Sequence, residues 1–211
     1  MPNLKFNMTS LTDWYQQPLG QTLGRIEDTE LRQVLAKCFG RYLLQIGGQQ
    51  LLPALQASLI PYHSGITQDS QPATAFTYGT YEKLPIQSES VDAIVLWHSL
   101  ETVTHPETIL TESWRTLTPD GHLIILGFNP WSMWGLRHLF NHSSAPWNRH
   151  FHSAQKICQW ANHMNGELIT AKSFFFRPPI ENPEYLDKLQ WLEATGLWLW
   201  PHMGASYLLV I

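Results

Sequence analysis

Few residues in this 211-residue chain have both the type and the setting for chemistry. Gly47 and Gly48 interrupt the apolar run LLQIGGQQLL, residues 43–52. Such a pair either lets a ligand approach backbone that carries no Cβ, or marks only the place where a strand gives way to a helix. His98 closes the apolar stretch VDAIVLW, so its imidazole stands at a strand end. There it can contact a ligand, take a proton near neutral pH, or serve structurally by bonding to loop backbone. Asn129 opens an Asn-Pro-Trp sequence and, with Trp131 and Trp134, is a candidate for the wall of a substrate pocket; its plain alternative is a turn or helix cap. The segment WSMWGLRHLF, residues 131–140, could form a lid for an apolar substrate, a patch for a protein partner, a peripheral membrane contact, or a helix packed on a sheet. His138 with His142, or His150 with His152, has chelating spacing, but no Cys, Asp or Glu joins either pair. No metal site is expected.

The elements that must position these residues can be read from periodicity. Residues 8–40 carry helical signals, with Thr12 or Asp13 as a cap and Leu31, Val34, Leu35 and Cys38 on one face. RYLLQI, 41–46, is too short for a helix and reads as a buried strand, after which 51–59 turns helical with Pro53 in the first turn. Weak strands at 63–67 and 74–79 precede a clear one at 91–97, an amphipathic helix at 106–117, a TPDG turn at 118–121 and a strand at 122–128. A capped helix at 153–166, a strand at 167–176, a helix over 184–195 and a final strand at 206–211 complete the chain. Strands apolar on both faces and alternating with helices predict a mostly parallel sheet covered on both sides. One domain is expected, with 1–40 as a helical cap on a core of 41–211.

Composition narrows the function classes. Thirteen Lys and Arg against 17 Asp and Glu give a net charge of −4, so a nucleic-acid partner is not expected. Two distant cysteines support neither a disulfide framework nor a zinc site. No apolar run reaches the length of a membrane span or a signal peptide, and a cytoplasmic location is expected.

The stretch LPIQSESVDAIVLWHSLETVTHPETILTESWRTLTPDGHLIILGFNP resembles the second half of class I S-adenosylmethionine-dependent methyltransferases of the type 11 group. WYQQPLG, GFNPWSMWGLRHL, FRPP and the Trp-Pro-x-x-G-x-x-Tyr of residues 200–207 are similar to an uncharacterised bacterial branch of it. The resemblance implies a Rossmann-like, doubly wound sheet of seven strands, S-adenosylmethionine as cofactor and a small or apolar methyl acceptor. It also implies a cofactor site at Gln45, Gly47, Gly48, Gln49, Gln68, Asp69, Thr80, Tyr81 and His98. The family's acidic residue and Gly-x-Gly-x-Gly correspond here to Gln45, Gly47, Gln49 and Leu51, so one feature of four is kept. Gln68, or Asp69 after a one-residue shift, stands for the ribose-binding acid, and Thr80 for the adenine-binding one. Losing two or three carboxylates would weaken cofactor binding by on the order of a hundredfold. The alternative is therefore a degenerate methyltransferase fold that acts as a binding module, with a protein partner.

Overall fold

The computed structural model describes residues 11–68, 75–140, 146 and 148–211. Seven strands form one sheet in the order β3-β2-β1-β4-β5-β7-β6: β1 Tyr42–Ile46, β2 Tyr62–Thr67, β3 Phe76–Tyr78, β4 Val91–Trp97, β5 Leu117–Phe128, β6 Thr170–Phe174 and β7 Ser206–Val210. The first five run parallel, and β7 lies antiparallel between β5 and β6. Because the chain leaves β1 toward β2 and returns to β4 on β1's other side, the carboxyl ends of β1 and β4 part and leave a crevice.

The strands alternate their side chains between two apolar layers. Leu43, Val95, Leu126 and Leu208 face the first layer with the N-terminal helices; Leu44, Ile94, Ile125 and Leu209 face the second. The first layer is covered by α1 (Leu11–Tyr15) and α2 (Pro18–Leu35), and the second by α3 (Pro106–Thr116) and α5 (Ala154–His163). Pro18 occupies the first turn of α2, where its missing N–H costs nothing. That helix buries Leu19, Leu23, Glu27, Leu31 and Leu35, a stripe at four-residue spacing with one carboxylate in its middle. Ser153 caps α5 by accepting from the Lys156 amide. Helix α4 (Met133–Phe140) follows β5, and α6 (Pro183–Lys188) and α7 (Trp191–Leu199) lie between β6 and β7.

Four local expectations are corrected. Thr12 and Asp13 lie inside α1 instead of capping a helix. The helix expected over 51–59 is a single 3₁₀ turn, Pro53–Ala57, with Pro53 in its first turn. Pro61 and the start of β2 leave no room for more. TPDG is absorbed into β5, where the pairing with β4 jumps from Val91↔Leu117 to Ala93↔His122, so the extra residues bulge. The single helix expected over 184–195 is two, α6 and α7.

The amino end of β1 is held by Asp92 on β4, whose Oδ2 accepts from the Arg41 and Tyr42 amides at 2.7 and 2.9 Å. Hydrogen bonds to a carboxylate are stronger than neutral ones, so Asp92→Ala should lower the urea unfolding free energy by about 1.5 kcal/mol and Asp92→Asn by roughly half of that. An unchanged urea midpoint for the alanine variant would refute this anchoring role.

Candidate functional site

At the carboxyl end of β1 the chain makes two left-handed steps, Gly47 (φ 99°) and Gly48 (φ 80°). L side chains rarely adopt either. Space is equally restrictive. A Cβ on Gly47 would collide with the Trp97 carbonyl oxygen, and one on Gly48 would come to 3.0 Å from the Trp97 ring. The glycines thus let the turn fold against the end of β4. Gln45 fixes the loop beyond them: its Nε2 donates to the Gly47 and Gln50 carbonyls at 2.9 and 3.1 Å, and its Oε1 accepts from the Leu52 amide at 2.8 Å. A carboxylate could accept the last bond but could not make the first two.

Beside this loop lies a buried ionic cluster. His98 has φ 47°, and its ring is inaccessible to solvent. Its Nε2 is 3.0 Å from Glu27 Oε1 and 2.9 Å from the Tyr15 hydroxyl; its Nδ1 is 3.4 Å from Glu101 Oε1. Tyr15 donates to Glu27 Oε2 at 2.7 Å, Ser206 donates to Glu27 Oε1 at 3.0 Å, and the Phe128 amide donates to Glu101 Oε1 at 2.8 Å. Burial by itself would lower the imidazole pKa, but the Glu27 and Glu101 carboxylates outweigh it and raise it to about 9. His98 is therefore an imidazolium at neutral pH, between two carboxylates. Burial and the same carboxylates push the Tyr15 phenol well above its ordinary range. Glu101 Oε2 is buried with no hydrogen-bond partner among the described residues.

A cavity of about 360 Å³ opens above this floor, lined by Gly47, Gly48 and Gln49 from the β1 loop, Thr67 and Gln68 from the end of β2, and Tyr81. Trp97 and His98 from β4, Leu11 and Thr12 from α1, Thr102 and Arg149 complete it. Its size falls within the range of small-ligand sites. Tyr81 accepts from the Gln68 amide at 3.3 Å. The Arg149 guanidinium makes no hydrogen bond or ion pair with the described residues, and burial lowers its pKa, partly offset by Glu101.

Among the residues expected from sequence, Gly47, Gly48, Gln49, Gln68, Tyr81 and His98 thus meet around one cavity. Gln45 is wholly buried with its amide spent on the loop, Thr80 is exposed outside the lining, and Asp69 lies outside the described residues, as does His142. Asn129 does not reach this cavity. It donates to the His202 and Gly204 carbonyls at 2.7 and 3.0 Å and accepts from the Trp131 amide. Trp134 is a core residue whose Nε1 donates to the Arg177 carbonyl, while Trp131 stands 73% exposed. Helix α4 turns Leu136, Leu139 and Phe140 to solvent, away from the cavity wall. Among the described residues no three His, Cys, Asp or Glu are grouped to hold a metal, and no helix is long and apolar enough to cross a membrane. Tyr15, Glu27, Glu101 and Arg149 were not anticipated. Only Glu27 carried a legible signal, as the one charge in the apolar stripe of α2.

Residues 55–125 match a family model described as a methyltransferase domain. The chain is 28% identical over 167 residues to the uncharacterized protein YafS of Escherichia coli (strain K12), covering 78% of this chain and 69% of that protein. It is 33% identical over 63 residues to the mitochondrial 2-methoxy-6-polyprenyl-1,4-benzoquinol methylase of Caenorhabditis elegans, a match that covers 29% of this chain and 22% of the methylase. Its fold is shared with a SAM-dependent methyltransferase, described as a possible histamine N-methyltransferase, of Thermotoga maritima (TM-score 0.62, 18% identity, 94% of this chain and 92% of that one). It is shared too with the geranyl diphosphate C-methyltransferase of Streptomyces coelicolor A3(2) (TM-score 0.60, 15% identity, 91% and 81%). The middle of the chain thus matches a methyltransferase domain in sequence, and along nearly all of its length the chain has the fold of solved S-adenosylmethionine-dependent methyltransferases.

Proposed function

We propose that the protein transfers a methyl group from S-adenosylmethionine to a small apolar acceptor, with the cofactor held in the 360 Å³ cavity. The observation that carries this reading is the cavity's place, in the crevice between β1 and β4, with two glycines at its edge and polar groups at the end of β2. The bound cofactor would supply a methyl group on a positively charged sulfur. The protein's part is alignment and exclusion of water. Gln68 would meet the ribose hydroxyls and Tyr81 would flank the adenine. Arg149 would pair with the methionyl carboxylate, while the cluster of two carboxylates and one imidazolium leaves a single excess negative charge toward the sulfonium. The two relatives named for acceptors with a polyprenyl or geranyl chain support an apolar acceptor.

His98 is a positioning residue in this scheme, not a base. Both ring nitrogens face carboxylates, and at pH 7 it carries the proton that a base would have to lack. It pins Tyr15 of α1 and Glu27 of α2 to the end of β4, which keeps the N-terminal helices over the cavity.

Two outcomes are expected. Isothermal titration should give S-adenosylhomocysteine a Kd on the order of 0.1 mM, weakened about tenfold by Arg149→Gln through loss of a charged hydrogen bond. No heat at concentrations of about 2 mM would overturn the cofactor assignment. The second outcome concerns pH. An imidazole raised from 6.5 to about 9 on folding stabilises fully below pH 6.5, and the contribution is lost as pH rises through about 9. The difference in thermal midpoint between wild type and His98→Gln should therefore shrink across that interval. Parallel profiles would show that His98 is not held as an imidazolium.

A further inference from the structure

A second cavity, of about 570 Å³, lies between α2 and the 3₁₀ turn Pro53–Ala57. Tyr15 and Glu27 line it, but their polar groups are already bonded to each other and to His98. The surface formed by α4 and α7 is different, because there apolar side chains stand where water would favour polar ones. Both helices lie at the carboxyl end of the sheet, α4 after β5 and α7 between β6 and β7.

Helix α4 is amphipathic in the inverted sense. Trp134 and Gly135 are buried, while Met133, Leu136, Leu139 and Phe140 fall within roughly a third of a turn on another side and are exposed, Phe140 by 84%. Arg137 of the same helix donates to the Pro179 carbonyl at 2.6 Å and is 3.6 Å from Glu181. Helix α7 repeats the pattern. Gly196 is buried, and Trp191, Leu197 and Trp198 face solvent, Trp198 by 81%. The only charged residue of α7, Glu193, accepts from the Phe176 amide and from Arg177 Nε at 3.1 and 3.0 Å. The two helices are thus bonded to one segment, because Trp134 of α4 donates to the Arg177 carbonyl. A groove of about 1010 Å³ runs between them, with Trp131 from just before α4 and Leu197 of α7 in its wall.

The extent of this surface is informative. A buried aromatic side chain covers about 150–250 Å². At the exposures found here, the apolar residues of the two helices and Trp131 present on the order of 1,000 Å², against roughly 300–600 Å² for the largest patch on a typical monomer. A stable complex buries about 800 Å² of each partner, so one such contact could cover most of the surface. Charge then selects the occupant. The chain carries a net charge of −4, and Glu181, Glu184 and Asp187 are exposed on the segment that leads into α7. Carboxylates so close to the patch repel an anionic lipid surface. Two copies of the chain also repel each other wherever charged surfaces meet, but the apolar arcs of α4 and α7 carry no charge. An apolar face is complementary to itself across a twofold axis.

We infer that the protein is a twofold homodimer whose interface is formed by the outer faces of α4 and α7. This holds whether or not the cofactor cavity binds S-adenosylmethionine. Trp, Phe and Met, which dominate the two arcs with Leu, are residue types enriched in the cores of protein interfaces.

Sedimentation equilibrium of the full chain tests the inference. A species of twice 24.3 kDa is expected, with a dimer Kd below about 1 µM. Leu136→Glu and Trp198→Glu each place like charges opposite one another across the axis and should weaken the dimer at least about a hundredfold. Their circular dichroism should not change, since both side chains are exposed. Phe39→Glu, an exposed position just before β1 at the other end of the sheet, should leave the dimer Kd within about twofold. A monomer at about 50 µM, or a dimer that both interface variants leave intact, would overturn the inference. No sedimentation with vesicles of phosphatidylcholine and phosphatidylglycerol is expected. Vesicle binding that Leu136→Glu and Trp198→Glu both abolish would give the surface to a bilayer and overturn the dimer assignment.

Discussion

The arrangement of this protein depends on one buried cation. His98 sits at the end of β4 with a carboxylate on each ring nitrogen, Glu27 from α2 and Glu101 from the loop after β4. Burying any of the three charges alone would cost several kcal/mol, and removing one partner of a buried pair typically costs about 3–5 kcal/mol because the other is stranded. The three must therefore be buried together or not at all. This couples the docking of the N-terminal helices to the geometry of the sheet end. It also explains how a histidine is held at φ 47°, a conformation that costs about 1–2 kcal/mol and persists only where surrounding contacts determine it.

A second constraint is the replacement of an acid by an amide at the end of β1. The loop offers Gln45 two carbonyls and one N–H, and only an amide satisfies all three at once. The loop runs on into the single 3₁₀ turn Pro53–Ala57 before β2. Departures from the family's glycine pattern are in this way compensated internally. Leu51 packs against the apolar core instead of entering the cavity between β1 and β4, while Gln49 remains at its edge.

Much of the fold was legible because its signals are local. The doubly apolar strands at 42–46, 91–97 and 122–128 and the amphipathic helix after Pro106 follow from periodicity and length alone. The count of seven strands came from the family resemblance, and the antiparallel placement of β7 had no mark of its own, since pairing between distant strands leaves no local trace. Boundaries failed where tertiary demands prevailed over turn chemistry, as at TPDG, which β5 takes in as a bulge. The site was only half legible. The residues at strand ends could be placed because their strands could be placed, but Glu27 lies 71 positions from His98 and Arg149 is 102 positions from Gly47. Glu27 still had a mark of its own, a charge at the centre of the stripe Leu19, Leu23, Leu31, Leu35. A carboxylate there must have a buried partner, and the sequence gives no indication of which one.

The buried cluster also bears on why two cavities, not one large one, occupy this end of the sheet. Tyr15 and Trp97 pack with ring centroids 4.9 Å apart, and Tyr15 is fixed by its bonds to Glu27 and His98. Trp97 lines both cavities, and Tyr15 and Glu27 line the second. Moving Tyr15 would require breaking charged hydrogen bonds worth roughly 1.5–3 kcal/mol each. The ions that fasten the helices to the sheet include His98, which lines the first cavity, and Glu27, which lines the second, so a substitution within the cluster acts on stability and on the shape of both cavities together.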